Sequence, residues 1–480
     1  MMVRYRINTI KYAVLIAVFL VVSCKTPEVA KISPTKPLPE AYNNLSKDTT
    51  NIASMAWSNY FKDENLVRLI DEALKNNQEL LVTLQEIEIA KNEIKMRKGA
   101  ILPSVGIGAG AGVEKVGKYT SQGAGDASAE ITPGEMVPED LQDYKLGLYA
   151  RWEVDIWKKL RNSKKAAISR YLATIEGKNF VVTNLIAEIA NSYYELVALD
   201  NQLEIVQRNI AIQSNALEIV KIQKEGARAT ELAVQKFQAE VYDSKSMEFE
   251  ILQQIKETEN RINFLLGRYP QPVVRTKQNY LDLTPTWLQS GIPAQLLANR
   301  PDIKQAELEL IAAKLDVKVA RAEFYPSLGI SAGVGFQAFK PNYLFKSPES
   351  LFYNLVGDLV APLINRNAIK AEFKNANARQ LQALYNYEKT ILNAYLEVSS
   401  QLSRISNLEK SYDLKNQRVA ALNRSIEFSN DLFKSARVDY FEVLMTQRDA
   451  LESQLELIET KKQVLNASVN VYRDLGGGWK

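Results

Sequence analysis

The sequence predicts a mainly α-helical chain that carries membrane β-strands and is built as two structural repeats. Three observations point there. A 23-residue pattern occurs twice, long proline-free stretches keep helical periodicity, and four segments of about ten residues alternate apolar with small or polar side chains. Ala90–Gly112 aligns without gaps on Ala313–Gly335, 223 positions later, with ten identities that include Lys91/Lys314, Pro103/Pro326, Ser104/Ser327 and Gly106/Gly329. Each copy passes from helical spacing through a Pro-Ser break into strict alternation, a helix feeding a strand.

The N-terminus comes first. Arg4, Arg6 and Lys11 precede an apolar run of about eleven residues, Tyr12–Val22, which is too short to span a bilayer. It ends in Val21-Val22-Ser23-Cys24, which resembles a bacterial lipobox with valine where leucine is usual. Residues 1–23 are therefore expected to be a lipoprotein signal peptide, and Cys24 the lipidated first residue of the mature chain. Each buried CH₂ of such an anchor contributes about 0.8 kcal/mol. Removing 1–23 takes three basic residues and no acids, leaving 57 basic against 56 acidic residues. That near-neutral balance argues against a nucleic-acid partner. Histidine is absent, and the single cysteine cannot form an intrachain disulfide. With no phosphate-cradling glycine loop or clustered metal ligands either, neither an enzyme nor a cofactor is expected.

Residues 24–65 are expected to form a lipidated N-terminal tether and equatorial segment, and the part after Cys24, where Pro27, Pro34, Pro37 and Pro39 crowd together, reads as extended. Two repeats follow, 66–270 and 271–480. No proline lies between Pro138 and Pro270 or after Pro362, so helices can run far without interruption. Apolar spacing marks helices over Ala166–Lys224 and Leu232–Leu266, the latter closed by Gly267, then over Ala368–Lys434 and Phe441–Leu475, closed by Gly476. A helix of about sixty residues is on the order of 90 Å long, too long for a compact globule, and implies coiled-coil-like packing.

The strands are expected at about 104–113, 144–154, 327–337 and 351–361. Val105, Ile107, Ala109, Ala111 and Val113 alternate with glycines; Leu328, Ile330, Ala332, Val334 and Phe336 alternate with Gly329, Ser331, Gly333, Gly335 and Gln337. About ten residues is the length a tilted strand needs to cross a bilayer. An open sheet cannot stand in lipid, because its edge N–H and C=O groups lack partners. Four strands per chain thus require several chains to share one barrel: two copies would supply eight strands, and three would supply twelve.

The motifs Trp57-Ser58-Asn59-Tyr60-Phe61-Lys62-Asp63, Trp152-Glu153-Val154-Asp155-Ile156-Trp157, Asn263-Phe264-Leu265-Leu266-Gly267 and Arg300-Pro301-Asp302 resemble those of the TolC-type outer-membrane efflux channels, in the lipoprotein branch that includes OprM and NodT. Phe324-Tyr325-Pro326-Ser327, Asp439-Tyr440-Phe441-Glu442 and the terminal Leu475-Gly476-Gly477-Gly478-Trp479 complete the likeness, which covers the mature chain. The resemblance implies a homotrimer with a twelve-stranded barrel in the cell outer membrane of a Gram-negative bacterium and a long α-helical tunnel in the periplasm. It also implies docking to a periplasmic adaptor (membrane fusion) protein and an inner-membrane RND-type pump, with passive exit of drugs or other small molecules. The duct of a type I secretion system or other exporter is the alternative. A periplasmic adaptor lipoprotein is disfavoured by two hairpins and four amphipathic strands.

Function is then expected at the hairpin tips. Ala227-Arg228-Ala229-Thr230 aligns with Ala436-Arg437-Val438-Asp439 at a spacing of 209. By resemblance, Asp439, Tyr440 and Arg437 belong to the periplasmic constriction, and Gly226, Ala227, Arg228, Thr230, Ala436 and Val438 to the adaptor-docking tips. The family usually has glycine where Ala227 and Ala436 stand, and alanine tolerates positive φ poorly.

Overall fold

The structure, a computed structural model, describes residues 29, 37–42, 50–276, 280–283, 290–362, 366–435 and 437–480. Cys24 with its lipobox, most of the proline-rich stretch after it, and Ala436 lie outside the described residues. The main elements are α1 (Glu64–Asn76), α2 (Gln78–Gly99), β1 (Ser104–Glu114), β2 (Leu141–Val154), α3 (Lys159–Glu225) and α4 (Glu231–Leu265). They recur as α5 (Pro301–Ala322), β3 (Ser327–Ala338), β4 (Leu351–Val360), α6 (Asn367–Lys434) and α7 (Tyr440–Asp474). The duplication is visible element by element. α2 and α5 both have 22 residues and start 223 apart, while α4 and α7 both have 35 and start 209 apart. The difference sits in the strand connections, because the β1–β2 loop carries an extra short helix, Ser121–Asp126, and a small hairpin.

The chain divides into two compact units. One contains Ile89–Tyr171 and Leu308–Tyr385; the other contains Pro34–Glu88, Leu172–Glu307 and Asn386–Lys480. The first holds a four-stranded antiparallel sheet in the order β1-β2-β3-β4, so each strand pairs with its sequence neighbour. Ile107 faces Leu148, Leu148 faces Val334, and Val334 faces Tyr353. At the β2–β3 junction the backbones leave no room for a side chain: a Cβ on Gly335 would lie 2.3 Å from the Leu146 carbonyl oxygen. Aromatic side chains anchor the helix–strand passages. Trp152 Nε1 donates to the Ile101 carbonyl (3.0 Å), and Trp157 Nε1 donates to that of Pro326 (2.7 Å) while its ring stacks on Tyr325. Phe324 meets Phe373 edge to face among Val317, Ala320 and Ala376.

In the second unit the main core is built where the helices meet the connecting segments. Tyr60 stacks on Tyr472 with centroids 4.2 Å apart and donates its hydroxyl to the Ser468 carbonyl (3.0 Å). Asp63 caps α1 by accepting from the Asn65 N–H (2.8 Å) and also accepts from the Tyr193 hydroxyl (2.7 Å), so one carboxylate starts a helix and ties it to α3. Arg300, buried beside the N-terminus of α5, forks onto Asp302 (3.0 and 2.7 Å), and its Nη1 reaches Glu397 (2.7 Å) and the Asp474 carbonyl (3.0 Å). The Arg-Pro-Asp motif is thus a joint between α5, α6 and the end of α7. Gly267 sits at φ +67° where a Cβ would fall 2.4 Å from the Asn76 carbonyl oxygen, which requires glycine at that helix end.

Candidate functional site: the hairpin tips and the two faces of the sheet

Both hairpin turns carry the same six-to-one backbone bond. After α3, the Ala227 N–H donates to the Lys224 carbonyl (2.9 Å) and the Arg228 N–H to that of Gln223 (2.7 Å). This is a Schellman arrangement with Ala227 at the left-handed position, φ +58°. The turn that glycine would make freely is made by alanine, with Gly226 one place earlier. After α6 the Arg437 N–H donates to the Leu432 carbonyl (2.9 Å), the same six-to-one bond. The next helix then begins with a side-chain cap at the aligned positions. Thr230 Oγ1 accepts from the Ala233 N–H (3.3 Å), and Asp439 Oδ1 accepts from the Tyr440 N–H (2.6 Å). A carboxylate at this place is further favoured by the positive end of the helix.

Gly226, Ala227, Arg228, Thr230, Arg437 and Asp439 are exposed, whereas Val438 and Tyr440 are half-buried. Lys224 pairs with Glu231 across the first turn, and that contact holds the Glu231 carboxyl below the usual range. Beneath the turns lies an apolar cluster of Leu217, Val220, Ala233, Val234, Phe237, Val241 and Leu444, with Tyr440 packed against it. Lys236 Nζ stands 4.9 Å from the centre of the Phe441 ring. The starts of α4 and α7 therefore touch. The two predicted groups of tip residues come together at one place, joined by Leu444, Lys236 and Phe441, which single-residue reading did not select.

The sheet has two unlike faces. Val105, Ile107, Leu146, Leu148, Trp152, Ile330, Val334, Phe336, Leu351, Tyr353, Leu355 and Leu359 form one apolar side in continuous register. The other side carries Gly106, Gly108, Gly110, Gly112, Gly147, Ser331, Gly333 and Gly335 with Lys145, Arg151, Gln337, Asn354 and Asp358. Ile107, Tyr353 and Leu355 are each more than three-quarters exposed, so the described residues leave these positions of the apolar side uncovered. Among the described residues β1 and β4 each lack a pairing strand on their outer edge. Among the described residues no helix is long and apolar enough to cross a membrane.

Comparison with known proteins agrees with this geometry. The family model described as outer membrane efflux protein matches residues 69–268 and 292–477. The pyoverdine export outer membrane protein OpmQ of Pseudomonas aeruginosa is 28% identical over 425 residues, spanning 88% of this chain and 87% of that protein. The cation efflux system protein CusC of Escherichia coli is 25% identical over 451 residues, 93% of this chain and 94% of its own length. The probable outer membrane lipoprotein SilC of Salmonella typhimurium is 24% identical over 466 residues, 96% and 97% of the two chains. Among solved structures, CusC superposes with a TM-score of 0.82 at 23% identity, covering 94% of this chain and 99% of that one. The open-state MtrE channel of Neisseria gonorrhoeae gives 0.81 at 21%, covering 94% and 98%.

Proposed function

This chain belongs to the outer membrane efflux protein family and is an outer-membrane efflux channel; on that premise we propose that it works as a homotrimer, the exit duct of a tripartite system. The observation that carries the reading is the open four-stranded meander, apolar on one side and unpaired at both edges. A meander of four ends antiparallel to its start, so β4 of one copy can pair with β1 of the next without reversing direction. Three copies close a barrel of about twelve strands, wide enough to leave a lumen, with the glycine-rich polar face inward and the apolar face on lipid.

The long helices form the periplasmic tunnel. Its tips, Gly226, Ala227, Arg228, Thr230, Ala436 and Val438, dock a periplasmic adaptor protein that links the channel to an inner-membrane RND-type pump. Asp439 and Tyr440 with Arg437 narrow the tunnel at that end. Three Asp439 carboxylates around the axis favour cations there. Cys24 carries the lipid that holds the chain to the outer membrane. Relatives of one family are named for pyoverdine export and for cation efflux, so cargo is chosen by the pump and the duct is passive.

The deciding experiment is the native mass of the protein extracted from outer membranes in mild detergent. A trimer is expected, whereas a monomer that retains its strands would overturn the shared barrel and the duct with it.

A further inference from the structure

On the polar face of the sheet, two aromatic rings lie among small residues. Tyr149 and Phe352 have centroids 6.2 Å apart and planes at 34°. A Cβ added at Gly108 would meet the Tyr149 ring at 3.0 and 3.2 Å, and one at Gly333 would meet the opposite edge of that ring at 3.3 Å. One at Gly147 would lie 3.1 Å from the tip of Phe352. Gly147 pairs with both Gly108 and Gly335, and Gly333 pairs with Tyr149, so these glycines belong to adjacent strands at neighbouring rungs. The Tyr149 ring thus reaches from β1 to β3 across its own strand, and Phe352 leans from β4 over β2. Both rings lie down along the wall. Gly106, Gly110 and Gly112 on β1 have nothing within 4 Å, so on that strand the filled space is confined to the Tyr149 ring, while on β3 Gly329 lies against the Asp358 carboxylate. Each glycine in a strand costs about 0.5–1 kcal/mol relative to alanine. At Gly108 what it leaves room for is the Tyr149 ring alone, while a Cβ at Gly147 would also meet the Val334 carbonyl oxygen (2.8 Å) and one at Gly333 the Asn354 Oδ1 (2.7 Å).

We propose that Tyr149 and Phe352 set the bore of the barrel exit, and that Gly108, Gly147 and Gly333 keep the two rings flat and out of the cargo's path. This rests on the reading of the polar face as the pore lining. A side chain added at Gly108 lifts the Tyr149 ring into the lumen, three times over in a trimer, and lowers the largest solute that passes.

The test uses the full chain in cells and membrane-impermeant maleimides of graded size added from outside. Cys24 is the only native cysteine, so an introduced thiol is distinguished from the parent's background. Ser331 lies on the polar face and Ile330 on the apolar one; Ser331 is nearer than the rings to the α5 end of β3, so a reagent from outside must pass them. Ser331→Cys is expected to react with a small charged maleimide and Ile330→Cys not to react. In the Ser331→Cys background, Gly108→Val is expected to slow labelling by large maleimides several-fold while leaving the small one unchanged. Adding Tyr149→Ala restores the rate. Gly110→Val, equal in bulk on the same strand and face, leaves the rate unchanged. Gly108→Ala, whose Cβ already meets the ring, replaces the valine variant if that one does not assemble into trimers. If Ile330→Cys reacts and Ser331→Cys does not, the pore assignment of the faces fails, and the function proposed above with it. If Ser331→Cys reacts but Gly108→Val matches Gly110→Val, the rings do not set the bore and this inference is overturned.

Discussion

The two hairpin tips share a six-to-one backbone bond and differ in what holds them. In the first, α3 and α4 pack against each other through Leu217, Val220, Ala233, Val234, Phe237 and Val241 directly below the turn. In the second, only α7 reaches that cluster, through Leu444 and Tyr440, while Phe428 and Leu432 near the end of α6 are exposed in the single chain. The caps differ too, an uncharged threonine at 230 and a carboxylate at 439. A duplicated hairpin has thus become one self-supporting tip and one that leans on it. The second tip is the one that carries the Asp439 carboxylate proposed above for the constriction. The lesson is that the apolar contact of the second tip with the first runs through Leu444 and Tyr440, with Lys236 over the Phe441 ring beside them, while Val443 of α7 is buried as well.

Leu444→Ala should break that asymmetry most strongly. A buried leucine cut to alanine costs about 2–5 kcal/mol, so faster amide exchange is expected at the start of α7, together with a higher open fraction in planar bilayers. Unchanged exchange there would show that the tether lies elsewhere. Asp439 separates cap from charge. Asp439→Ala loses about 1 kcal/mol of helix start together with the carboxylate, whereas Asp439→Asn keeps the cap and loses only the charge. Both are expected to lower cation selectivity, and only the alanine variant to fray α7; intact selectivity in both would remove Asp439 from the constriction.

Ala227→Gly should tighten the first turn. A left-handed conformation costs alanine about 1–2 kcal/mol, partly offset by the greater freedom of glycine in the unfolded chain. Slower exchange of the Arg228 amide is the readout, and no change would mean the turn is unstrained.

The smallest effect concerns pH. Asp474 is buried, and burial lifts its carboxyl above the usual aspartate range despite the Arg473 guanidinium at 2.8 Å. Its folded-state value is the higher one, so its contribution is full below the ordinary aspartate value and is lost as pH rises through the raised one. Asp474→Asn is therefore expected to gain thermal stability relative to the parent as pH rises towards neutral. An advantage confined to acid would contradict the sign.

Much of the fold was legible because the signals are local. Helix spacing, proline placement and alternation located four long helices and four strands, several to within a residue: α6 was expected from 368 and starts at Asn367, and β3 was expected from 327 and starts there. Where the boundaries moved, a tertiary or side-chain contact moved them. α3 begins at Lys159 rather than near 166 because the Asp155 carboxylate accepts from the Leu160 and Arg161 N–H groups (both 3.0 Å). β2 starts at Leu141 because it pairs with Glu114 at the end of β1.

By itself the sequence determined the repeat, the lengths of the helices and the two-faced strands, since each depends on residues a few positions apart. It also placed Thr230 and Asp439 at equivalent turns. Only the tertiary structure decided that Leu444 joins the first hairpin, that Arg300 binds Glu397 and the Asp474 carbonyl, and that Tyr149 lies over glycines of two other strands. Those contacts link residues that are up to some two hundred positions apart in sequence, and no local periodicity encodes which of them meet. They follow from the packing of whole helices and the register of whole strands, which is settled by the summed burial of many side chains rather than by any one of them.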